Sequence, residues 1–249
     1  MRVFFITIVV FFLFANCEKP SDCIKSSGPI TSIVYQGITF DKILVRKRIA
    51  VVITQGEVYK VEVQTGENLI NDIDVYVDNN TLILEDKTTC NWVREFGKTI
   101  VYITTPTLTE ITCKTEQSIS SNGILSFPNL HLFSLNSFDN SGIGTGDFIL
   151  NLDCENLVVE NNDVSRYFLK GKIKQLNVNF YEGDGIFHGE EVLANTIYIY
   201  HRGSNDMFLN PLQSISGDIY NVGNVFCYSK PSEENTHVTQ HYRGKLIYK

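Results

Sequence analysis

The sequence predicts an all-β fold, and three observations predict it. No window of about 11 to 18 residues carries the 3.6-residue apolar period of an amphipathic helix. Residues 30–106 alternate apolar and polar positions around hairpin-type turns. Residues 107–228 then repeat short apolar runs at an interval near twenty. Abundant Val, Ile, Thr and aromatic residues agree, because branched and aromatic side chains suit a pleated surface.

The chain opens with a leader. Arg2 is followed by twelve uncharged residues, Val3 to Phe14. Twelve residues span about 18 Å as a helix, too short for a bilayer core of about 30 Å. Residues 1–16 are therefore expected to be an export signal. No later stretch approaches the length of a membrane span. Leu13-Phe14-Ala15-Asn16-Cys17 is similar to a bacterial lipobox, with Asn16 where a small residue is usual. Lipidation at Cys17 would anchor the protein to a membrane, and ordinary cleavage with release is the alternative. Residues 17–29 are polar and turn-rich, as a tether requires.

The body is expected over residues 30–249, as a strand-rich lead-in (30–106) and a repeated region (107–249). In the lead-in, Val58-Tyr59-Lys60-Val61-Glu62-Val63 alternates strictly. Asp78-Asn79-Asn80 between Val75-Tyr76-Val77 and Leu82-Ile83-Leu84 is a turn, since Asn and Asp tolerate left-handed backbone. Thr99 to Ile103 is a further strand. In the repeats, Val159, Val178, Ile199 and Ile219 are separated by 19, 21 and 20 residues. Phe148, Phe168, Phe187 and Phe208 are separated by 20, 19 and 21. Two series with one period point to a solenoid. The LxxLxLxxN pattern is absent, so a parallel β-helix, its coils stacked about 4.8 Å apart, is expected. A β-sandwich of evenly spaced strands is the alternative.

Composition narrows the function. The net charge is −7 with no long basic stretch, which argues against a nucleic-acid partner. The six cysteines, at 17, 23, 90, 113, 154 and 227, include no CxxC pair, which argues against zinc. Cys113 alternates with Ile111 as a small core residue, and a Cys23–Cys90 disulfide is compatible with an oxidising compartment.

Several segments carry a family resemblance: FDKILVRKRIAVVITQGEVYKVEVQTGENL, NNTLILED, IVYITTPTLTEIT, SGIGTGDF, ISGDIYNVGNV and RGKLIYK. In this order they resemble the bacterial putative auto-transporter adhesin, head GIN domain family, a domain of unknown function in Bacteroidetes-type exported lipoproteins. The resemblance runs from about Ile38 to Lys249, and the family's SGxG signature is replaced in places, as at Glu182-Gly183-Asp184-Gly185. It implies a right-handed β-helix-like fold on an exported, often lipid-anchored protein, and its name implies adhesion.

Candidate chemistry is sparse. Asp147, Asp163, Asp184, Asp206 and Asp218 lie near turns, where capping of backbone amides is their ordinary role. Stacked carboxylates could alternatively serve a glycosidase, or bind Ca²⁺, for which Asp184 and Asp206 are weak candidates; the GGxGxDxUx calcium repeat is absent. His188, His201 and Arg202 lie near these aspartates without a catalytic motif. His237 and His241 are expected at a solvated edge, and so is the basic run Arg46-Lys47-Arg48. Tyr198 and Tyr200 alternate with Ile197 and Ile199 and should face outward. Tyr181 and Tyr220 lie 19 and 20 residues to either side of Tyr200, so stacking would make a tyrosine stripe. Such a stripe suits a glycan or a cell-surface protein, or packs against another part of the chain. The function expected is an exported, lipid-anchored binding or adhesion module of the cell envelope, periplasmic or surface-facing. It needs no catalysis or cofactor, and no metal beyond the weak calcium candidates. A carbohydrate-active enzyme and a structural envelope subunit are the alternatives.

Overall fold

In the computed structural model, residues 26–88, 97, 99–136 and 142–249 are described. The leader, Cys17, Cys23, Cys90 and Ser141 lie outside the described residues.

Alternating side chains make each strand two-faced, and the chain satisfies its backbone by pairing these strands into one sheet. The first part contributes β1 (Ile30–Gln36), β2 (Lys42–Arg46), β3 (Ile49–Gln55), β4 (Lys60–Gly66), β5 (Ile73–Asp78), β6 (Thr81–Asp86) and β7 (Thr99–Thr105). Then follow β8 (Glu110–Lys114), β9 (Ile119–Leu125), β10 (Asn129–Ser134) and three long strands: β11 (Asp147–Asn161), β12 (Arg166–Phe180) and β13 (Ile186–His201). The last are β14 (Met207–Leu209), β15 (Pro211–Ile219), β16 (Val225–Cys227), β17 (Thr236–Gln240) and β18 (Leu246–Tyr248). Among the described residues there is no α-helix, so the all-β class holds, in a mixed sheet curled into a half-barrel.

The pairing has two runs. One passes through β6, β2, β8, β10, β11, β12, β13, β15 and β17, all parallel. The other passes through β7, β3, β9, β11, β12, β13, β14, β16 and β18, also parallel. The long strands β11, β12 and β13 belong to both. Antiparallel strands close the early ends: β5 on β6, β4 on β7 and β1 on β4.

Parallel register stacks like on like. Leu82, Ile43, Ile111, Leu132, Val159, Val178 and Ile199 form one buried column. Val101, Val51, Ile119, Phe148, Tyr167, Phe187, Met207 and Val225 form another, with Phe148 and Tyr167 stacked 4.8 Å apart. Each such side chain contributes about 1.5–3 kcal/mol on burial. Cys113, Cys154 and Cys227 are free, buried thiols, and burial pushes them up to about 11, 11 and 12.

Three sequence expectations are corrected. The phenylalanine series is not one face: Phe148 and Phe187 point inward with Tyr167 between them, whereas Phe168 and Phe208 are outward with His188 between them. One residue of slip moves a side chain across the sheet. The first series also breaks at its last step, because Ile199 pairs with Gly217 and not with Ile219. Arg46 to Arg48 is no solvated edge, since β2 pairs on both sides. Lys47-Arg48 is the turn into β3, with Arg48 at φ 68° and its guanidinium 3.2 Å from Asp86, and Arg46 lies 2.9 Å from Glu85.

One core column turns polar. Asn161, Phe180, His201 and Ile219 are in register and all 0% exposed. Asn161 is satisfied: its Nδ2 donates to the Asp163 carbonyl at 2.9 Å, and its Oδ1 accepts from Tyr167 Oη at 3.3 Å. Neither ring nitrogen of His201 has a hydrogen-bond partner among the described residues. Burial pushes the His201 imidazole down to about 4, against the Asn205 backbone and the Asp206 carboxylate, which favour the charged form.

Two predictions arise here. Gly217 holds φ 121°, and a Cβ there would stand 1.9 Å from the Ile199 carbonyl oxygen. Gly217→Ala should cost more than about 2 kcal/mol in urea denaturation, because strain and clash add. Gly123 also has positive φ but open space around it, so Gly123→Ala should cost only about 1–2 kcal/mol; equal losses would contradict the register at Gly217. The unfolded chain binds the His201 proton more tightly than the folded one, so its contribution is complete above about pH 6.5. That contribution should fade as pH falls through 4, by on the order of 3 kcal/mol. His201→Leu should flatten the decline in melting temperature over this window, and unchanged slopes would refute the role of His201.

Candidate ligand-binding face

The parallel register also writes columns on the outside. On the run ending in β17, successive strands present Val158, Asn177, Tyr198, Ser216 and His237 in one column. The next column is Glu160, Asn179, Tyr200, Asp218 and Thr239. Just past the strand ends, ladder-like bonds continue the register. Tyr181 donates its backbone N–H to Asn161 O, Arg202 to Phe180 O, Tyr220 to His201 O and His241 to Ile219 O. Tyr181, Arg202, Tyr220 and His241 thus make a third column.

The four predicted tyrosines therefore share one face, but not as one straight stripe. Tyr200 sits one column inboard of Tyr181 and Tyr220, and Tyr198 one column further. The contacts zigzag: Tyr181 to Tyr200 at 5.7 Å and 51°, then Tyr200 to Tyr220 at 5.0 Å and 49°. Tilted rings leave part of each π face open. Tyr181, Tyr198 and Tyr220 are 37%, 41% and 36% exposed.

Polar contacts fix the rings. The Tyr181 hydroxyl donates to Glu160, and burial together with that carboxylate pushes it up to about 12, keeping it a neutral donor. His241, expected only at a solvated edge, stacks on Tyr220 at 4.3 Å and 4° and sets Nε2 2.7 Å from Asp218 Oδ1. A groove of about 500 Å³ lies beside the column, lined by Tyr181, Glu182, Asp184, Arg202, Ser204 and Tyr220 among others. The Arg202 guanidinium in it makes no ion pair among the described residues.

The other candidates occupy turns, or in the case of Asp147 the first position of β11. Asp184 accepts from the Ser204 hydroxyl, and its carbonyl accepts from Asn205 Nδ2 at 2.7 Å. Asp206 accepts from Asn224 N at 2.8 Å and Nδ2 at 3.1 Å. Asp163 accepts from Gly144 N, and Asp147 forms a two-pronged pair with Arg166 at 2.8 and 2.7 Å. Each carboxylate ties one turn to another or one rung to the next. Among the described residues no three His, Cys, Asp or Glu side chains gather as a metal-ligand group, and no helix is long and apolar enough to cross a membrane.

A second outward ladder was hidden in the sequence. Phe168, His188, Phe208 and Phe226 stack nearly parallel, 5.0, 4.9 and 5.4 Å apart. Arg166 lies 5.8 Å from the Phe168 centroid and Lys249 4.6 Å from that of Phe226, so a cation caps each end. These rings turn their faces to one another and only edges to solvent. Spacing alone mixed this ladder with core residues; the alternation Tyr167-Phe168 and Phe187-His188 is the signal that separates them.

Comparisons place this geometry. A putative adhesin from Bacteroides fragilis NCTC 9343 has a similar structure, with 22% identity, 90% of this chain and 100% of that chain covered, and a TM-score of 0.79. A putative adhesin from Parabacteroides merdae ATCC 43184 aligns at 15% identity over 92% and 100% of the chains, TM-score 0.66. A protein from Parabacteroides distasonis ATCC 8503 described as a putative lipid binding protein aligns at 13% identity over 90% and 100%, TM-score 0.62. At these identities the likeness shows the fold. No curated protein matches the sequence. The family model for the putative auto-transporter adhesin, head GIN domain, matches residues 39–231. With most of its length so matched, the chain belongs to the putative auto-transporter adhesin, head GIN domain family.

Proposed function

We propose that the protein is an exported, lipid-anchored adhesion module of the cell envelope that holds a surface glycan on its tyrosine face without turning it over. The observation that carries this reading is the tilted sequence Tyr181–Tyr200–Tyr220 beside a groove lined by Arg202. A sugar ring presents C–H groups to an aromatic face and hydroxyls to its surroundings. Here the surroundings are Asn177, Asn179, Ser216 and Arg202, which both donate and accept or donate in pairs. Tyrosine with Ser and Asn offers large contact area at low entropy cost. The family's adhesin description supports export and an envelope location. The apolar leader Val3–Phe14 and Cys17 support an anchor, since acyl chains contribute about 0.8 kcal/mol per buried methylene.

Tyr198→Ala combined with Tyr200→Ala should abolish most binding on a glycan array while shifting the melting temperature little, because both rings are outward. Undiminished glycan binding, or binding to intact cells that survives glycan removal, would refute the tyrosine face as a glycan site. Membrane fractionation of wild type and Cys17→Ala tests the anchor: the wild type should sediment with membranes and the variant should be released. Release of both, or of neither, would refute lipidation at Cys17.

A further inference from the structure

The outward bulge of β9 carries a dipeptide that the sequence contains once. Asn122 is followed by Gly123, and no other asparagine in the chain precedes a glycine. We infer that Asn122 is a modification site, where the folded protein converts a side-chain amide into a carboxylate by attack of its own backbone, with no enzyme. The inference is independent of the tyrosine face, which lies on the other run.

The chemistry sets the first requirement. The Gly123 backbone nitrogen forms a bond to Asn122 Cγ and the Cγ–Nδ2 bond breaks. The proton of that nitrogen passes through solvent to the departing group, which leaves as ammonia. The product is a cyclic imide, and water adds to one of its two carbonyl carbons. Attack at Cγ opens the ring to aspartate. Attack at the main-chain carbonyl carbon of residue 122 leaves the backbone running through the former side chain, as isoaspartate. One water is consumed and one ammonia released, and nothing is oxidised or reduced. Glycine in the second position favours the first step because no Cβ crowds the attacking nitrogen.

The fold meets the remaining requirements. In a regular strand the backbone nitrogen is held in a ladder, and reaction waits for local opening. Asn122 and Gly123 escape that restraint. The pairing of β9 with β3 ends at Ser121, and its pairing with β11 passes from Ser120 directly to Ile124. A bulge leaves its extra residues without ladder partners. Both residues are exposed. Gly123 holds φ 90°, and even a Cβ built on it would meet nothing within 4 Å, so the imide ring and the incoming water have room.

The product also fits. Asn122 Nδ2 donates to Thr54 Oγ1 at 3.3 Å, and a hydroxyl donates as well as accepts, so an aspartate at 122 keeps Thr54 as a partner. Isoaspartate lengthens the backbone only where no ladder has to break. Conversion adds a negative charge to a strand, Ile119–Leu125, that has no charged residue. The turn at Asn79-Asn80 is the internal contrast. Both asparagines are exposed with positive φ. Each is followed by a residue with a side chain, and Thr81 is paired with both Asp78 and Lys42.

Peptide mapping by mass spectrometry follows the purified full-length protein in detergent at mildly alkaline pH, beside the same protein unfolded in guanidinium. The peptide holding Asn122 should gain the mass difference between an amide and an acid and split into two products, one of them accepting a methyl group from an isoaspartyl methyltransferase. Its rate in the folded protein should lie within about tenfold of that in the unfolded chain, since no opening step precedes it. Asn79 and Asn80 should remain amides over the same period. Gly123→Ala should slow conversion in the folded protein by at least about tenfold, because its methyl group crowds the nitrogen. If that variant does not fold, the comparisons with the unfolded chain and with Asn79 and Asn80 carry the test. The inference is overturned by a folded-state rate below that window, by conversion at Asn79 or Asn80 keeping pace with Asn122, or by a rate that a folded Gly123→Ala leaves unchanged.

Discussion

Parallel backbone pairing between segments about twenty residues apart is the constraint on which the rest of this structure depends. A parallel ladder admits no freedom once one hydrogen-bonded pair is set, because side chains alternate with a period of two. Fixing Leu157 on Leu176 and Leu176 on Ile197 therefore places every other side chain on β11, β12 and β13 until a bulge intervenes. The inner columns become continuous apolar stacks and the outer columns become rows of chemistry. One backbone decision sets both stability and surface.

The corners show what the constraint costs. Where the chain leaves one strand for the next, polar backbone is buried and must find partners. Ser134 and Ser165 hydroxyls meet at 2.8 Å and both donate to or lie against the Gly144 carbonyl, while Asp163 accepts from Gly144 N. Thr115 Oγ1 reaches the Ile49 carbonyl at 3.0 Å. These contacts explain why Ser, Thr, Asp and Asn punctuate the sequence between apolar runs. His201 is the exception, a polar ring in a corner column whose other members are satisfied or apolar. It occupies hydrophobic volume and stays neutral there because burial disfavours its charged form.

Much of the fold was legible because pairing and patterning share one period. The strands of residues 30–106, the turn at Asp78-Asn79-Asn80 and the outward tyrosines all follow from alternation. Registers near twenty residues followed from the recurrence of apolar runs. What escaped is whatever changes parity or count by one or two residues. Phe168 and Phe208 share the near-twenty spacing of Phe148 and Phe187, yet a single residue separates the two faces. Gly217 takes the place in the column that spacing alone assigns to Ile219, and an even slip keeps the face inward, so the hydrophobic pattern does not register it. The bulges at Ser121–Gly123 and at Gly189-Glu190 are extra residues in otherwise ordinary strands, and only the partner strand reveals them. The leader and Cys17 rest on the sequence alone.

The same register yields two outer surfaces with different capacities, and ring geometry separates them. Where Phe168, His188, Phe208 and Phe226 occupy identical positions on successive rungs, spacing near 5 Å forces the rings parallel. Each ring then saturates its neighbour, and cations close the ends, leaving a stabilising ladder with edges to solvent. Where a two-residue offset intervenes, Tyr181, Tyr200 and Tyr220 cannot stack and tilt by about half a right angle, with interplanar angles of 51° and 49°. Their faces remain partly free, and polar residues fill the positions between. An irregularity that adds nothing to the core thus turns a structural ladder into a surface with open aromatic faces. On the ladder side, bulges of β9 and β13 follow just past Phe168 and His188, and the ring stack runs on unbroken beside them. At the tyrosine face the register itself is unbroken, and the open ring faces come from where the sequence places tyrosine on successive rungs.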